Sequence, residues 1–162
     1  ARKREAVREP VNMRKLVDEA SRLIHGMLLQ APDIAVSDNS PAGCVVLADG
    51  PQIQQVLLNL LKNAIDAARD LPSDRQTVSL RIECIENRLL VQVSDSGAGL
   101  REDQLSHLFE PFFTTKPDGL GLGLPICKTI IEAHGGRLWA TPNQEFPGMT
   151  FSFSLPCHVS PD

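Results

Sequence analysis

The sequence contains no tyrosine and one tryptophan, and aromatic residues make up only 4% of its 162 residues. Its cysteines are far apart and form no C-x-x-C pair, so we expect reduced thiols in apolar surroundings rather than zinc ligands or disulfides. No apolar run approaches the ~18 residues of a membrane span, and the polar opening is unlike a signal peptide. A net charge of −4 disfavours a general nucleic-acid surface. The cysteines are Cys44, Cys84, Cys127 and Cys157.

These absences leave an ordinary globular composition, with 42% hydrophobic and 22% charged residues. Apolar periodicity and turn residues predict the order of the elements. This order predicts an α+β fold, in which helices pack on one face of a mixed sheet as a two-layer α/β sandwich. The elements are a helix over Arg2–Gln30 interrupted at Pro10–Met13, strands Asp33–Val36 and Cys44–Ala48, a helix over Pro51–Asp70, a hairpin of Thr77–Glu83 and Arg88–Ser94, a helix from Pro125 to His134, strands Arg137–Thr141 and Met149–Leu155, and a loose tail after Pro156.

The helix predicted from Pro51 carries an unusual polar face. Asn59, Asn63 and Asp66 are spaced i, i+4 and i+7, so they share one side of the helix. Asparagine beside an apolar stripe needs a polar partner, because burying an unpaired amide is unfavourable. The amide oxygens suit a hard cation such as Mg²⁺, although a solvated helix face explains them equally well.

Two glycine-rich segments favour close contact with a ligand. Asp95-Ser96-Gly97-Ala98-Gly99 follows a strand, where a carboxylate can accept hydrogen bonds from an adenine amine and the glycines admit a flat ring. Gly119-Leu120-Gly121-Leu122-Gly123 leads into a helix, whose free N–H groups suit phosphates. Each segment alone is weak, since many surface turns look similar.

Between these glycine segments lies Leu108 to Lys116, with three phenylalanines in five residues. Such a segment is typical of a mobile loop held by an apolar contact, and Lys116 is placed to reach phosphate as a point charge. A small satellite core under a loop is the alternative. The order of the four features along the chain, from Asn59 to Gly123, favours a nucleotide site over four unrelated surface features.

The four segments resemble the N box, first glycine box, F box and second glycine box of sensor histidine kinases in the GHKL superfamily. They are Asn59–Asn63, Asp95–Gly99, Phe109–Phe112 and Gly119–Gly123. Glu132 to Gly136 and Gly148-Met149-Thr150 are similar to this family as well. The resemblance implies a Bergerat-type ATP-binding fold over residues 11–156. Residues 1–10 would be the end of a preceding helical dimerisation region or linker, and residues 157–162 a C-terminal tail.

The resemblance also implies a role for each matching residue. Asp95 would bind the adenine amine, and Asn63 would ligate Mg²⁺ with Asn59 beside it. Asn59 and Lys116 are the implied catalytic residues, and the segment from the F box through the second glycine box would form a lid over ATP. The full implied nucleotide-binding set is Asn59, Lys62, Asn63, Asp66, Asp95, Gly97, Gly99, Thr114, Thr115, Lys116, Gly119, Leu120, Gly121, Leu122, Gly123, Leu124 and Thr150.

Asn59 separates kinase from hydrolase in this family. Hydrolysing members carry a glutamate at the corresponding position, whereas an amide cannot act as a general base. The implied nucleophile is a histidine followed by an acidic residue, and none of His25, His107, His134 and His158 has that context. We therefore expect the acceptor histidine on a separate dimerisation domain of the same parent protein, with a response regulator downstream.

Three other functions remain open at this stage. The chain could be an ATP hydrolase with the same fold, a non-catalytic nucleotide-binding interaction module, or a serine-directed anti-sigma kinase of the same superfamily. The expected location is the cytoplasm, whether or not the parent protein is anchored in a membrane. No contact of this domain with membrane or nucleic acid is expected.

Overall fold

The computed structural model describes residues 7–114 and 123–159. Its elements alternate between helices and strands without a regular repeat. Among the described residues, no helix combines the length and apolarity that crossing a membrane would require. The elements are β1 (Glu9–Val11), α1 (Met13–Met27), β2 (Ile34–Asp38), β3 (Cys44–Ala48), α2 (Gly50–Ala67), a 3₁₀ turn (Ser73–Arg75), β4 (Val78–Ile85), β5 (Arg88–Asp95), α3 (Glu102–Leu105), α4 (Gly123–Ala133), β6 (Arg137–Pro142), β7 (Met149–Pro156) and β8 (His158–Val159).

The described strands form two sheets. The larger has five strands in the order β2-β4-β5-β7-β6, and the smaller has three in the order β1-β3-β8. Only the β2–β4 pairing is parallel, so the larger sheet is mixed. This arrangement, with helices packed on one face, confirms the predicted two-layer α/β sandwich.

The β4–β5 hairpin forms the centre of the larger sheet. Its turn is Glu86-Asn87, and both residues have positive φ, as two-residue hairpin turns with the sheet's twist require. Val78 pairs with Asp95 at one end and Cys84 with Leu89 at the turn end. Alternate side chains on each strand are buried, which places the core on one face of the sheet only.

Helix α2 lies between α1 and α4 and contacts the central strands. It begins after Asp49, whose side chain accepts a hydrogen bond from the backbone N–H of Gln52 at 3.2 Å. Pro51 in the first turn suits a position where the backbone N–H has no helical partner. Its buried side chains, Ile53, Val56, Leu57, Leu60, Leu61, Ala64 and Ile65, form the apolar stripe.

The predicted apolar face of the first helix is partly wrong. The spacing of Leu16, Ala20, Leu23 and Met27 predicts an apolar stripe, but Leu23 and Met27 are exposed. The buried residues are Met13, Val17, Ala20 and Ile24. Both sets recur at three- and four-residue spacing, so periodicity cannot choose between them. Packing against α2 buries the face of the helix that carries the β-branched side chains.

Several predicted boundaries also differ. The first helix begins at Met13 after the N-cap Asn12, whose preceding residues pair with β3 as an edge strand. Helix α4 begins at Gly123 rather than Pro125, and α2 ends at Ala67 rather than Asp70. The predicted loose tail is wrong for its first residues, because β8 pairs with β3. Residues 1–6 and 160–162 lie outside the described part of the chain.

Candidate functional site

Asp95 is the last residue of β5, and its side chain is only 3% exposed. One carboxylate oxygen, Oδ1, accepts hydrogen bonds from the backbone N–H of Gly97 at 2.8 Å and of Met149 at 3.3 Å. Both donors are backbone groups whose positions the loop and β7 determine. The carboxylate is therefore held in one orientation at the edge of the core.

Burial raises the pKa of the Asp95 carboxyl above its usual value of 3.8, because the charged form loses solvation. The two backbone hydrogen bonds from Gly97 and Met149 oppose this effect, since they stabilise the carboxylate. A buried acceptor with a raised pKa is the type of group that binds a hydrogen-bond donor of a ligand.

Two glycines let the chain approach Asp95 closely. A Cβ on Gly97 would lie 2.5 Å from the carbonyl oxygen of Ala67 at the end of α2. A Cβ on Gly148 would lie 2.1 Å from the carbonyl oxygen of Asp95, and Gly148 has a φ of +123°. Only glycine fits at either position, so the Asp95 turn packs directly on α2 and on the loop before β7.

The resemblance includes Thr150 in the nucleotide-binding set, but its side chain lies on the opposite face of the sheet from that of Asp95. In the β5–β7 register Thr150 pairs with Ser94, and the two hydroxyls are 2.7 Å apart. Side chains alternate along a strand, so Asp95 and Thr150 face opposite sides. The residue beside Asp95 on its own face is Met149.

Asn143 connects these two faces and was not predicted. Its Nδ2 donates to the backbone carbonyl of Asp95 at 2.8 Å, and its Oδ1 accepts from the Thr150 hydroxyl at 2.6 Å. Thr150 therefore acts on the site through Asn143 and the Asp95 backbone. The signal available in the sequence was slight: an asparagine at a strand end before a proline- and glycine-containing turn.

The polar face of α2 is arranged as its spacing predicts. Asn59, Asn63 and Asp66 are half-buried along one side of the helix, and Lys62 is exposed. The Asp66 carboxylate accepts from Arg69 at 2.7 Å. Amide and carboxylate oxygens are the ligands that Mg²⁺ prefers, so the donor set on this face fits that ion.

The end of the second glycine segment meets this face. The Asn59 amide nitrogen donates to the Cys127 thiol sulfur of α4 at 3.5 Å. A Cβ on Gly123 would lie 3.6 Å from Asn59 Oδ1. The first turn of α4, with Gly123 and the half-buried Leu124, thus lies beside the asparagine face of α2.

The phenylalanine segment is only partly packed. Leu108 is buried, and Phe109 and Phe113 pack against the core edge. The Lys128 ammonium of α4 lies 5.6 Å from the centre of the Phe109 ring. Phe112 instead is 74% exposed and has a φ of +67°, so Phe109 and Phe113 provide the apolar contact of this segment.

Several predicted lid residues fall where the structure gives no description. Thr114 is described and exposed. Gly99, the second glycine of the Asp95 turn, has a φ of +81°, which suits glycine. The residues outside the described part of the chain are Thr115, Lys116, Gly119, Leu120, Gly121 and Leu122.

His134 has a structural position rather than an accessible one. It is 5% exposed, its Nε2 accepts from the backbone N–H of Asp49 at 3.0 Å, and its Nδ1 lies 2.8 Å from the Ile130 carbonyl. This pattern requires the proton on Nδ1 and a neutral ring. His134 therefore connects the end of α4 to the start of α2.

Residues 48–159 match the family described as histidine kinase-, DNA gyrase B- and HSP90-like ATPase. The chain is 42% identical over 146 residues to the sensor protein FixL of Bradyrhizobium diazoefficiens, covering 90% of this chain and 28% of that protein. It also resembles the catalytic domain of the histidine kinase ThkA, with a TM-score of 0.79 and 32% identity over 92% of this chain and 95% of that one.

ThkA has also been solved in complex with the response regulator TrrA, where the TM-score is 0.76 at 31% identity over 92% of this chain and 41% of that one. Full-length ShkA in complex with AMPPNP gives a TM-score of 0.81 at 28% identity, over 100% of this chain and 34% of that one. The chain spans 28% of the length of FixL. It belongs to the histidine kinase-, DNA gyrase B- and HSP90-like ATPase family and is homologous to the catalytic domains of sensor histidine kinases.

Proposed function

We propose that this chain binds ATP with Mg²⁺ and transfers the γ-phosphate to a histidine on a separate dimerisation domain of its parent protein. The observation that carries the proposal is the junction of β5 with α2. There a buried aspartate at a strand end, fixed by backbone donors, lies next to a helix whose polar face offers two amides. The family's ATPase members supply the nucleotide class.

Adenine recognition is assigned to Asp95. Both backbone donors bind Oδ1, so we infer that Oδ2 accepts the exocyclic amine of the purine. Gly99, where an added Cβ would meet nothing closer than 3.8 Å, leaves space for the ring, whereas Gly97 lets the turn pack on α2. Asn143 and Thr150 support this assignment indirectly, because they hold the Asp95 carbonyl in place.

Phosphate and metal binding are assigned to α2 and the lid. Asn63 would ligate Mg²⁺ through its amide oxygen, with Asn59, Lys62 and Asp66 along the same helix. When bound, the ion would neutralise charge on the phosphate oxygens. Lid residues would close over the triphosphate, and the first turn of α4 would offer backbone N–H groups to it. The lid set comprises Thr114, Thr115, Lys116, Gly119, Leu120, Gly121, Leu122, Gly123 and Leu124.

Phosphotransfer is favoured over hydrolysis by Asn59. Its amide nitrogen donates to Cys127, and an amide has no basic group that could take a proton from water. The base that removes the proton from the acceptor histidine must then belong to the domain that carries this histidine. Catalysis by this domain would consist of positioning and charge neutralisation, with Lys116 beside the γ-phosphate.

Binding is tested by calorimetry of the chain with ATP and Mg²⁺. Asp95→Ala should abolish measurable binding, whereas Asn63→Ala should remove chiefly the Mg²⁺-dependent part. Asp38→Asn is the charge-matched control. Asp38 pairs with Ile82 towards the turn end of β4, far from Asp95, so this variant should bind ATP as wild type does. Equal ATP affinity in wild type and Asp95→Ala would contradict the assignment.

Transfer is tested with γ-labelled ATP, this chain and the helical domain of its parent protein. We expect label on a histidine of that domain and passage to a response regulator added later. Steady phosphate release without the helical domain would indicate a hydrolase instead. Tight ATP binding with neither reaction would indicate a nucleotide-binding interaction module.

A further inference from the structure

Three of the four cysteines, distant in the sequence, meet in space. Cys44 begins β3, Cys84 lies near the end of β4, and Cys157 lies between β7 and β8. Their sulfur atoms all lie within 4.8 Å of one another, and those of Cys84 and Cys157 are 3.3 Å apart. Three thiols that are far apart in the sequence, and that the sequence did not predict as metal ligands, therefore lie together in space.

The backbone fixes each member of this three-cysteine cluster. Cys44 belongs to the smaller sheet and pairs with Val159, while Cys84 belongs to the larger sheet and pairs with Leu89. Cys157 joins the two sheets, and its backbone N–H donates to the Asn87 carbonyl at 2.9 Å. The cluster is thus where the two sheets meet, at the turn end of the hairpin.

The size of the cluster suits a thiophilic cation. Zinc–sulfur bonds of ~2.3 Å in a tetrahedral arrangement separate the sulfurs by ~3.8 Å. The observed separations, from 3.3 Å to at most 4.8 Å, bracket that value. We propose that Cys44, Cys84 and Cys157 form a three-thiolate site for a soft metal cation of the zinc class, with one coordination position left to solvent.

The surroundings provide a route to the cluster. Cys44 and Cys84 are half-buried, and Cys157 is buried. Cys44 also lines an open cleft of about 270 Å³ together with Asp38 and Ser40. The charged residues that line this cleft are Arg14 and Asp38, and the cleft gives solvent access to Cys44.

A disulfide between two of these thiols is the alternative to a bound cation. It would join only two sulfurs, whereas all three lie within 4.8 Å of one another. A coordinating thiol is deprotonated outright, so a cation would bind the three as thiolates.

The test is a titration of the reduced 162-residue chain with Cd²⁺ and with Zn²⁺. We expect an equimolar complex, a thiolate-to-metal charge-transfer band with Cd²⁺, and a rise in Tm with Zn²⁺. Cys84→Ser should weaken Zn²⁺ by ~100-fold or more, since loss of a group that merely supports a metal ligand already weakens binding by ~10- to 100-fold. Cys127→Ala is the matched control, because it removes a thiol outside the cluster, and Zn²⁺ should bind it as it does wild type.

Circular dichroism shows whether each variant is folded. If Cys84→Ser unfolds, Cys44→Ala is used instead, because Cys44 is also only half-buried. Unaltered Cd²⁺ stoichiometry and band in both folded variants would overturn the proposal. A Cys84–Cys157 disulfide isolated from metal-free protein, with no Zn²⁺ bound after reduction, would also overturn it. Because the cluster is at the opposite end of β4 from Asp95, ATP affinity should be the same with and without Zn²⁺.

Discussion

At one end of the β4–β5 hairpin, Asp95 is buried as a carboxylate and surrounded by glycines that no other residue can replace. At the other end, about 20 Å away at ~3.4 Å per residue, the turn Glu86-Asn87 and the three-cysteine cluster close the same two strands. The first end consists of backbone contacts and a buried acidic group. The second consists of thiol contacts and an exposed turn.

The difference indicates where stability is lost, at the end of the hairpin to which we assign nucleotide binding. A buried carboxylate with a raised pKa lowers the stability of the folded chain at neutral pH, and positive φ at Gly148 restricts the sequence there to glycine. Glu86 at the turn end also has a positive φ, but it lies far from Asp95, so it can be substituted without touching the site. The following substitutions test this contrast between the two ends of the hairpin.

Gly148→Ala should have the largest effect. The added Cβ would lie 2.1 Å from the Asp95 carbonyl oxygen at a backbone φ of +123°, so the turn must move and the Asp95 hydrogen bonds with it. We expect a loss of more than ~3 kcal/mol in the free energy of unfolding and no measurable ATP binding. Urea denaturation and calorimetry measure the two effects.

Gly26→Ala is the matched control for that substitution. Gly26 lies in α1 with ordinary helical φ and nothing within 4 Å of an added Cβ. Alanine should therefore stabilise the chain by ~0.5–1 kcal/mol. If both alanines had similar effects, close approach at Gly148 would not be what limits that position.

Asn143→Ala should have an intermediate effect. It removes the donor to the Asp95 carbonyl and the acceptor of the Thr150 hydroxyl, which lowers the unfolding free energy by ~1–3 kcal/mol. ATP should bind more weakly, because the Asp95 backbone that positions the carboxylate loses a hydrogen bond. Gln144→Ala, at the exposed neighbouring residue, is the control. A weaker ATP affinity in Gln144→Ala alone would contradict this role.

Asp95→Asn should increase stability while abolishing ATP binding. Because burial raises its pKa in the folded state, the stability that protonation of Asp95 provides is fully present below its ordinary pKa of 3.8 and lost as pH rises through the raised value. The free energy of unfolding of the variant should therefore exceed that of wild type at neutral pH. The difference between the two should shrink as the pH falls.

Asp103→Asn is the contrasting control for that pH series. Hydrogen bonding to Arg101 lowers the pKa of this exposed carboxyl, so its contribution is present above the ordinary value and lost as pH falls. At neutral pH Asp103→Asn should therefore be less stable than wild type, which is the opposite sign to Asp95→Asn, and this difference too should shrink in acid. Denaturant midpoints of both variants across the acidic range measure it, and equal trends would contradict the burial argument.

Glu86→Asn should have the smallest effect. Glu86 has a φ of +49° in the hairpin turn, where asparagine is tolerated better than glutamate. We expect a gain of ~0.5–1 kcal/mol with unchanged ATP affinity. Asp74→Asn, which removes the same charge in the exposed 3₁₀ turn, is the control. A similar gain in both would indicate a charge effect instead.

Much of the fold could be predicted because its signals are local. The hairpin around Glu86-Asn87 and strand β3 over Cys44–Ala48 agree with the prediction. The buried face of α1 could not be predicted, because two interleaved stripes had the same spacing and only contact with α2 separates them. The roles assigned to the lid residues stay predictions.

The order of the main elements, the family motifs and the polar spacing on α2 can be read from the sequence, since these depend on neighbouring residues. Which groups meet depends on how the strands pair and pack. Asn143 reaches Asp95, Thr150 turns away from it, and three separated cysteines converge, because sheet register brings together residues that no local pattern links.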